Sequence, residues 1–261
     1  MSFEQPGTGR LEQHESIEDL ENFIKAAAER HRAKGVPVSD DGRIDMLAYK
    51  NVYPDHVERD FESTREGKAN AEAIHKERLV LDGEKLEMLA YAIFTKNLGE
   101  RFIVARSAPH DDRINKVDTL LLDRETGNLV CAFDEVGDTT GEAYEKKLKD
   151  VRDHNLHGGA SLKYGIGMDE DGKIKLTNVR NVPIFYVALP KDRINKGIAE
   201  FLPDTKNQSE FEKRLFTYFI ATITAQIAGL KLYKDLNPEL KERLNAFKKM
   251  VGELESKQEK K

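Results

Sequence analysis

Two acidic residues near the middle of the chain have the spacing of a metal-binding pair. Asp118 opens one apolar run, and Glu135 lies near the end of the next one. Thr126-Gly127-Asn128 lies between the two runs, and a short loop that contains glycine predicts a β-hairpin. With the hairpin centred on Thr126 and Gly127, Asp118 faces Glu135, because directly opposed residues share one face of a sheet.

This centring of the hairpin also pairs Leu120 with Phe133 and Leu122 with Cys131. The two carboxylates would then meet at the open end of an apolar ladder, where like charges destabilise the sheet. A bound divalent cation would offset this repulsion, since hard cations take carboxylate oxygens as ligands. The alternative is that one carboxylate points to solvent at the strand end, and the spacing alone leaves both interpretations open.

The hairpin resembles the metal-binding motif of the PD-(D/E)XK nuclease superfamily. In that motif an Asp on one strand is followed, on the next strand, by an acidic residue in the form apolar–apolar–Glu–x–Lys. Asp118 matches the first acid, and residues 133–136, FDEV, match the run into the second. The chain departs from the motif at Gly137, which stands where the motif has lysine.

The resemblance implies further site residues on two helices. Superfamily members often take a metal-site Glu from the first core helix, in the pattern apolar–Glu–x–Leu, and Glu87 stands in such a pattern. Some members supply the lysine from the helix after the hairpin, and Lys147 lies on the inner stripe of that predicted helix. Lys163 is a second, weaker candidate. A surface glutamate and a lysine at the helix edge remain the alternatives.

The activity that the resemblance implies is metal-dependent hydrolysis of a phosphodiester in DNA or RNA. Carboxylates would bind Mg²⁺ or Mn²⁺, which lowers the pKa of a bound water and stabilises charge on phosphoryl oxygens. Lys147 would orient that water or help to deprotonate it. Asp134 should point to the opposite face of the hairpin from Glu135, outside the metal shell. The implied site residues are Asp118, Glu135, Lys147, Glu87 and, through its backbone carbonyl, Val136.

The elements that must position these residues follow from apolar periodicity and from cap and turn signals. They predict an α/β fold. Their order of helix, strand, strand, strand, helix and strand is that of the PD-(D/E)XK superfamily, so the resemblance implies a restriction-endonuclease-like core in which a central mixed sheet is flanked by helices. We expect an N-terminal helical arm at 1–80, a core at 81–235, and a C-terminal helix and tail at 236–261. The predicted core order is helix 84–97, strand 101–107, polar loop 108–115, strands 116–123 and 129–136, helix 141–157 and a central strand 182–189.

Composition limits the classes of protein that the chain can belong to. Its net charge is −5 and its pI is about 5.9, which argues against a general polyanion-coating protein but leaves room for a local basic groove. The single cysteine, Cys131, allows neither an internal disulfide nor a cysteine-based zinc site. The longest uncharged run, 215–230, is shorter than a spanning helix needs. We therefore expect a cytoplasmic protein without a membrane anchor.

Two other functions stay open at this stage. The chain could keep the nuclease fold without the reaction and serve as a module that binds nucleic acid or protein, which Gly137 and the acidic charge favour. It could also be an unrelated α/β domain, in which case Glu87 and Lys147 should lie far from Asp118. The sequence does not distinguish DNA from RNA. The arm at 16–80 could shape a substrate groove, hold a partner in a homodimer, or cover the sheet.

Overall fold

The computed structural model describes residues 8–64 and 82–258, and a mixed four-stranded sheet lies at its centre. The sheet order is first, second, third and sixth strand; the first three pair antiparallel, and the sixth is parallel to the third. The fourth and fifth strands form a separate antiparallel hairpin. The strands are β1 Phe102–Arg106, β2 Thr119–Asp123, β3 Leu129–Val136, β4 Ala160–Met168, β5 Ile174–Val182 and β6 Ile184–Ala188.

Helices cover both faces of this sheet. Apolar residues of α1, α2, α5, α6 and α7 form one core with the face that carries Phe133 and Phe185. The other face packs against α4, the β4–β5 hairpin and residues 36–57, which include a 3-10 helix at Met46–Asn51. The helices are α1 Thr8–Arg32, α2 Asp82–Leu98, α3 Pro109–Asn115, α4 Gly141–Leu156, α5 Lys191–Ala199, α6 Glu210–Leu230 and α7 Pro238–Gln258.

The hairpin of β2 and β3 has a different register from the predicted one. Leu120 lies opposite Ala132 and Leu121 opposite Cys131, and the register shifts by a further residue between Leu121 and Leu122. The predicted pairing of Asp118 with Glu135 is therefore wrong by one residue. The cause is the irregularity next to the turn, because an extra residue on one strand changes which side chains oppose each other.

Three other sequence predictions can be compared with the fold. The α/β class, with a mixed sheet flanked by helices, is confirmed. The predicted polar loop at 108–115 is wrong, since Pro109–Asn115 is a helix with proline in its first turn. The predicted central position of the last strand is also wrong, since β6 lies at one end of the sheet.

Side-chain amides explain how a fully apolar strand can lie at an edge. Asn155 bonds both the N–H and the carbonyl of Ile184, at 3.1 and 2.7 Å. Gln226 does the same for Tyr186, at 3.0 and 2.9 Å. These amides occupy the backbone groups that a neighbouring strand would otherwise bind.

The N-terminal region touches the core at two places. Leu20 and Phe23 of α1 belong to the same apolar cluster as α2. Residues 38–44 run beside β1, where the N–H of Ile44 donates to the carbonyl of Arg106 at 2.9 Å. Within the predicted N-terminal arm, residues 57–64 are helical, and residues 65–81 lie outside the described residues. No helix in the described ranges is long and apolar enough to cross a membrane.

Candidate metal centre

The predicted site residues come from elements that converge at one end of the sheet. Asp118 directly precedes β2, and Glu135 lies near the end of β3. The N–H of Asp118 donates to the carbonyl of Phe133 at 2.8 Å, and the N–H of Glu135 donates to Asp118 Oδ2 at 2.7 Å. The hairpin thus holds the two acidic residues next to each other, although by a backbone contact and not by direct opposition.

Glu87 and Asp112 complete a set of three neighbouring carboxylates. One carboxylate oxygen from each of Glu87, Asp112 and Asp118 lies within 4.8 Å of the other two. Glu87 comes from α2, as predicted, and Asp112 comes from the short helix α3. Such a set of oxygen ligands suits hard divalent cations such as Mg²⁺ and Mn²⁺. The residues present therefore fit a metal ion of this type.

Two arginines pair with these carboxylates. Arg43 donates to Asp112 Oδ2 and to Glu87 Oε2, both at 2.9 Å. Arg106, at the end of β1, donates to the same Glu87 Oε2 at 2.6 Å. Burial works against the charge of Arg43, but Glu87, Asp112, Asp41 and Asp118 together raise its pKa. Arg43 and Arg106 therefore remain cations that partly neutralise the site.

The carboxylates of Asp118 and Glu135 are buried without such cations bonded to them. Burial, followed by the negative charges of Glu135 and Glu87, raises the pKa of Asp118 well above its usual value. Burial and then the charge of Glu87 raise the pKa of Glu135 to about 8. Glu135 is 7% exposed, and among the described residues its carboxylate is bonded to no basic side chain; its polar neighbours are the Asp118 carboxyl and the Thr119 hydroxyl. A buried carboxylate without a cationic partner is costly and requires an explanation.

Lys147 lies on the inner side of α4, as predicted from the helical spacing, and its ammonium pairs with Asp134. Burial opposes its charge, but Asp134, Asp118 and Glu135 raise the pKa of Lys147. Asp134 is 1% exposed, and its pKa is raised by burial although Lys147 lowers it. The lysine therefore lies within electrostatic range of the hairpin carboxylates, and its direct contact is with Asp134.

The two remaining predicted residues have other contacts. The carbonyl of Val136 accepts a hydrogen bond from the N–H of Leu189 at 3.2 Å, where β3 and β6 pair. Lys163 pairs with Asp60, which also accepts a hydrogen bond from the Tyr164 hydroxyl at 2.8 Å. Lys163 thus belongs to a different ion cluster, between β4 and the helical segment 57–64.

Sequence reasoning missed two members of the site, Arg43 and Arg106, and it expected Asp134, which pairs with Lys147, outside the metal shell. Asp112 lies in the predicted polar loop beside the hairpin, for which the sequence left a metal-adjacent role open. Arg106 ends a strand whose position was predicted, and a charged residue at the end of an apolar strand was the available signal. Arg43 is separated from Glu87 by 44 residues, and no local pattern indicates their contact.

The acidic cluster, defined as Glu87, Asp112, Asp118, Asp134 and Glu135, has more acids than neighbouring cations. Among the residues that the structure describes, three cations pair with its carboxylates: Arg43, Arg106 and Lys147. Two negative charges are therefore in excess when all groups are ionised. Either protons or a divalent cation would balance these charges. The raised pKa values of Asp118 and Glu135 mean that, without a metal ion, these carboxyls bind protons more tightly than usual.

Comparisons with known proteins were made for the whole chain. No protein-family model matches the sequence, and no curated protein and no solved structure matches it either.

Proposed function

We propose that the protein is a metal-dependent phosphodiester hydrolase that acts on nucleic acid, with Mg²⁺ or Mn²⁺ at the acidic cluster. The observation that carries the proposal is the buried Glu135 carboxylate, which lies beside Asp118 and has no basic partner among the described residues. A divalent cation that binds Asp118, Glu135 and Glu87 would give this carboxylate a cationic partner. It would also balance the two excess negative charges of the cluster.

Each residue has a role that its contacts support. Asp118, Glu87 and Asp112 supply the three mutually close oxygens, and Glu135, whose N–H donates to Asp118, would add a carboxylate from the neighbouring strand. A bound divalent cation supplies a water of lowered pKa and charge stabilisation at the phosphoryl group. Lys147, held by Asp134 and 28% exposed at its side chain, keeps a positive charge at the open side of the cluster. There it would orient the water or stabilise a developing negative charge.

The arrangement of elements supports assignment to the PD-(D/E)XK superfamily and its restriction-endonuclease-like core. The core runs helix α2, strands β1, β2 and β3, helix α4, then strand β6, which is the order that the resemblance implies. Lys147 on α4 takes the role of the motif's strand lysine, whose position is occupied by Gly137 in this chain. Since the fold alone does not specify an activity, the proposal depends on the chemistry of the cluster.

A second candidate function is a nuclease-fold module without the reaction. The observation that favours it is that Arg43 and Arg106 already neutralise Glu87 and Asp112, while Asp134 binds Lys147. Such a network can stabilise a fold without a metal ion. The two candidates differ in whether the wild-type protein binds a divalent cation.

Isothermal titration of Mn²⁺ at pH 8 separates the candidates. We expect binding by the wild type and by the surface control Glu170→Ala/Asp171→Ala, whose two acids are exposed. We expect no binding by Asp118→Asn/Glu135→Gln, which removes charge and keeps the shape of the site. Circular dichroism at the same pH checks that each variant is folded. Binding that survives in the hairpin variant would place the metal elsewhere and contradict the proposal.

Cleavage of plasmid DNA and of a long RNA in Mn²⁺ then tests the reaction. Lys147→Ala should lower the cleavage rate at least tenfold, while Lys146→Ala, on the exposed side of the same helix, should leave it unchanged. Metal binding without cleavage of either polymer would leave the metal centre standing and refute the proposed hydrolysis. Equal rates for Lys147→Ala and wild type would refute the role of the α4 lysine.

A further inference from the structure

We propose that Arg43 is a built-in competitor of the divalent cation, so that it sets the metal concentration at which the acidic cluster is filled. The inference rests on the proposed metal centre. It concerns the regulation of that centre by a residue of the N-terminal region, which the resemblance to nucleases does not include.

The first argument is the identity of the carboxylates that Arg43 binds. One guanidinium bridges Glu87 and Asp112, with both nitrogen–oxygen distances at 2.9 Å. These are two of the three residues whose oxygens lie within 4.8 Å of one another. A third acid, Asp41, lies 3.6 Å from Arg43 Nε. The arginine therefore acts on the oxygens that a metal ion would need.

The second argument is electrostatic. The Arg43 side chain is 10% exposed, and a guanidinium keeps its proton at every pH at which proteins are stable. A divalent cation that binds Glu87 and Asp112 must approach this fixed charge within a few ångströms, where like charges repel strongly at low local dielectric. Metal binding must therefore displace the guanidinium or tolerate its repulsion, and either effect weakens the apparent metal affinity.

The third argument is how the chain places Arg43. Residues 38–44 form a turn in which Gly42 has φ +78°, and a Cβ at Gly42 would lie 3.0 Å from the Tyr91 ring. The carbonyl of Gly42 accepts from the N–H of Arg106 at 2.9 Å, so the backbone beside Arg43 is fixed to β1. A change in the side-chain torsions of Arg43 alone would move its guanidinium off the carboxylates while the backbone stays in place.

Arg106 provides an internal comparison. It bonds only Glu87 among the three neighbouring carboxylates, whereas Arg43 bonds Glu87 and Asp112. Removal of Arg106 should therefore affect metal affinity less than removal of Arg43. Arg101 is a matched distant control, because it also pairs with three carboxylates, those of Asp123, Glu125 and Glu253.

The test is titration calorimetry of Mn²⁺ into the full chain, with four variants beside the wild type. We expect Arg43→Gln to bind at least tenfold more tightly than wild type, Arg106→Gln to show a smaller gain, and Arg101→Gln to match wild type. Arg43→Lys keeps the charge but loses the two-point contact, so its affinity should lie between those of wild type and Arg43→Gln. If circular dichroism shows that Arg43→Gln does not fold, the Mn²⁺ affinity of Arg43→Lys tests the competition, and it should exceed that of the wild type.

The outcomes separate this inference from the proposed function. Equal or weaker Mn²⁺ binding by Arg43→Gln than by wild type overturns the competition and leaves the metal centre standing. Binding by Arg43→Gln but not by wild type supports strong competition. The absence of binding in wild type and in every folded variant overturns the metal centre, and the competition with it.

Discussion

Replacement of Glu135 by glutamine should change how the stability of the protein depends on pH. In the folded protein, burial and the charge of Glu87 raise the pKa of this carboxyl from 4.5 to about 8. A group whose pKa is higher when folded binds protons more tightly in the folded state, so it stabilises the fold at low pH. That contribution is complete below pH 4.5 and is lost as the pH rises through about 8. Without metal, the wild type should therefore become less stable between pH 5 and pH 8.5.

The size of the effect follows from the same values. Each tenfold change in proton affinity corresponds to about 1.4 kcal/mol, so the rise from 4.5 to about 8 sets an upper limit of about 5 kcal/mol. Between pH 5 and 8.5 we expect Glu135→Gln to lose about 2 to 4 kcal/mol less stability than the wild type. Glu135→Gln also removes a charge that helps to raise the pKa of Asp118, so the difference between the two slopes reports the coupled pair of carboxyls.

Urea unfolding followed by circular dichroism, in EDTA at pH 5, 7 and 8.5, measures these slopes; the chain has no tryptophan to serve as a fluorescence probe. Glu170→Gln, at an exposed turn, is the control and should follow the wild type. Added Mn²⁺ at pH 8.5 should restore stability to the wild type and not to Glu135→Gln. If the free energies of unfolding of wild type and Glu135→Gln depend on pH in the same way, the argument is refuted. That result would show that the surroundings of Glu135 do not disfavour its ionised carboxylate.

Two further predictions concern other parts of the fold. Burial, followed by the charge of Arg124, lowers the pKa of His31 from 6.5 to about 4. The free energy of unfolding should therefore fall by up to about 3 kcal/mol as the pH drops from 7 to 4. His31→Leu should reduce this fall in a urea-unfolding series, and an unchanged fall would contradict the prediction. Gln226→Leu removes two hydrogen bonds to the backbone of Tyr186 at the edge strand, so we expect a loss of about 1–3 kcal/mol in urea unfolding and self-association at high concentration in light scattering. A monomer as stable as wild type would show that the amide does not protect this edge.

The positions of the helical site residues could be predicted because helical spacing is a local property. Glu87 borders the apolar stripe of α2, and Lys147 lies within the stripe of α4, so the faces of both helices followed from three- and four-residue spacing. The hairpin register was less secure. Side chains alternate with a period of two, so the shift next to Leu122 changed which residues oppose each other at the far end of the strands.

The arginines of the site could not be predicted, because their contacts join segments that are far apart in the sequence. Arg43 reaches Glu87 only because residues 38–44 run beside β1, and that contact depends on an isolated bridge between Arg43 and Arg106. An isolated bridge leaves no periodic pattern in the sequence. The same holds for Asp112, whose side chain faces the cluster only because residues 109–115 are helical and not a loop.

These cations change what the paired carboxylates mean. On sequence alone, a metal ion was one of two interpretations of Asp118 and Glu135, and Lys147 was the only positive charge assigned to their site. In the structure, Arg43, Arg106 and Lys147 neutralise most of the cluster, and the raised pKa values of Asp118 and Glu135 allow protons to neutralise the rest. A metal ion would therefore replace two protons and the bound arginine. Its affinity should rise with pH, because metal binding would release those protons. A nuclease of this design would be poorly occupied by metal at low pH, whereas a purely structural cluster would remain protonated and unaffected by Mn²⁺.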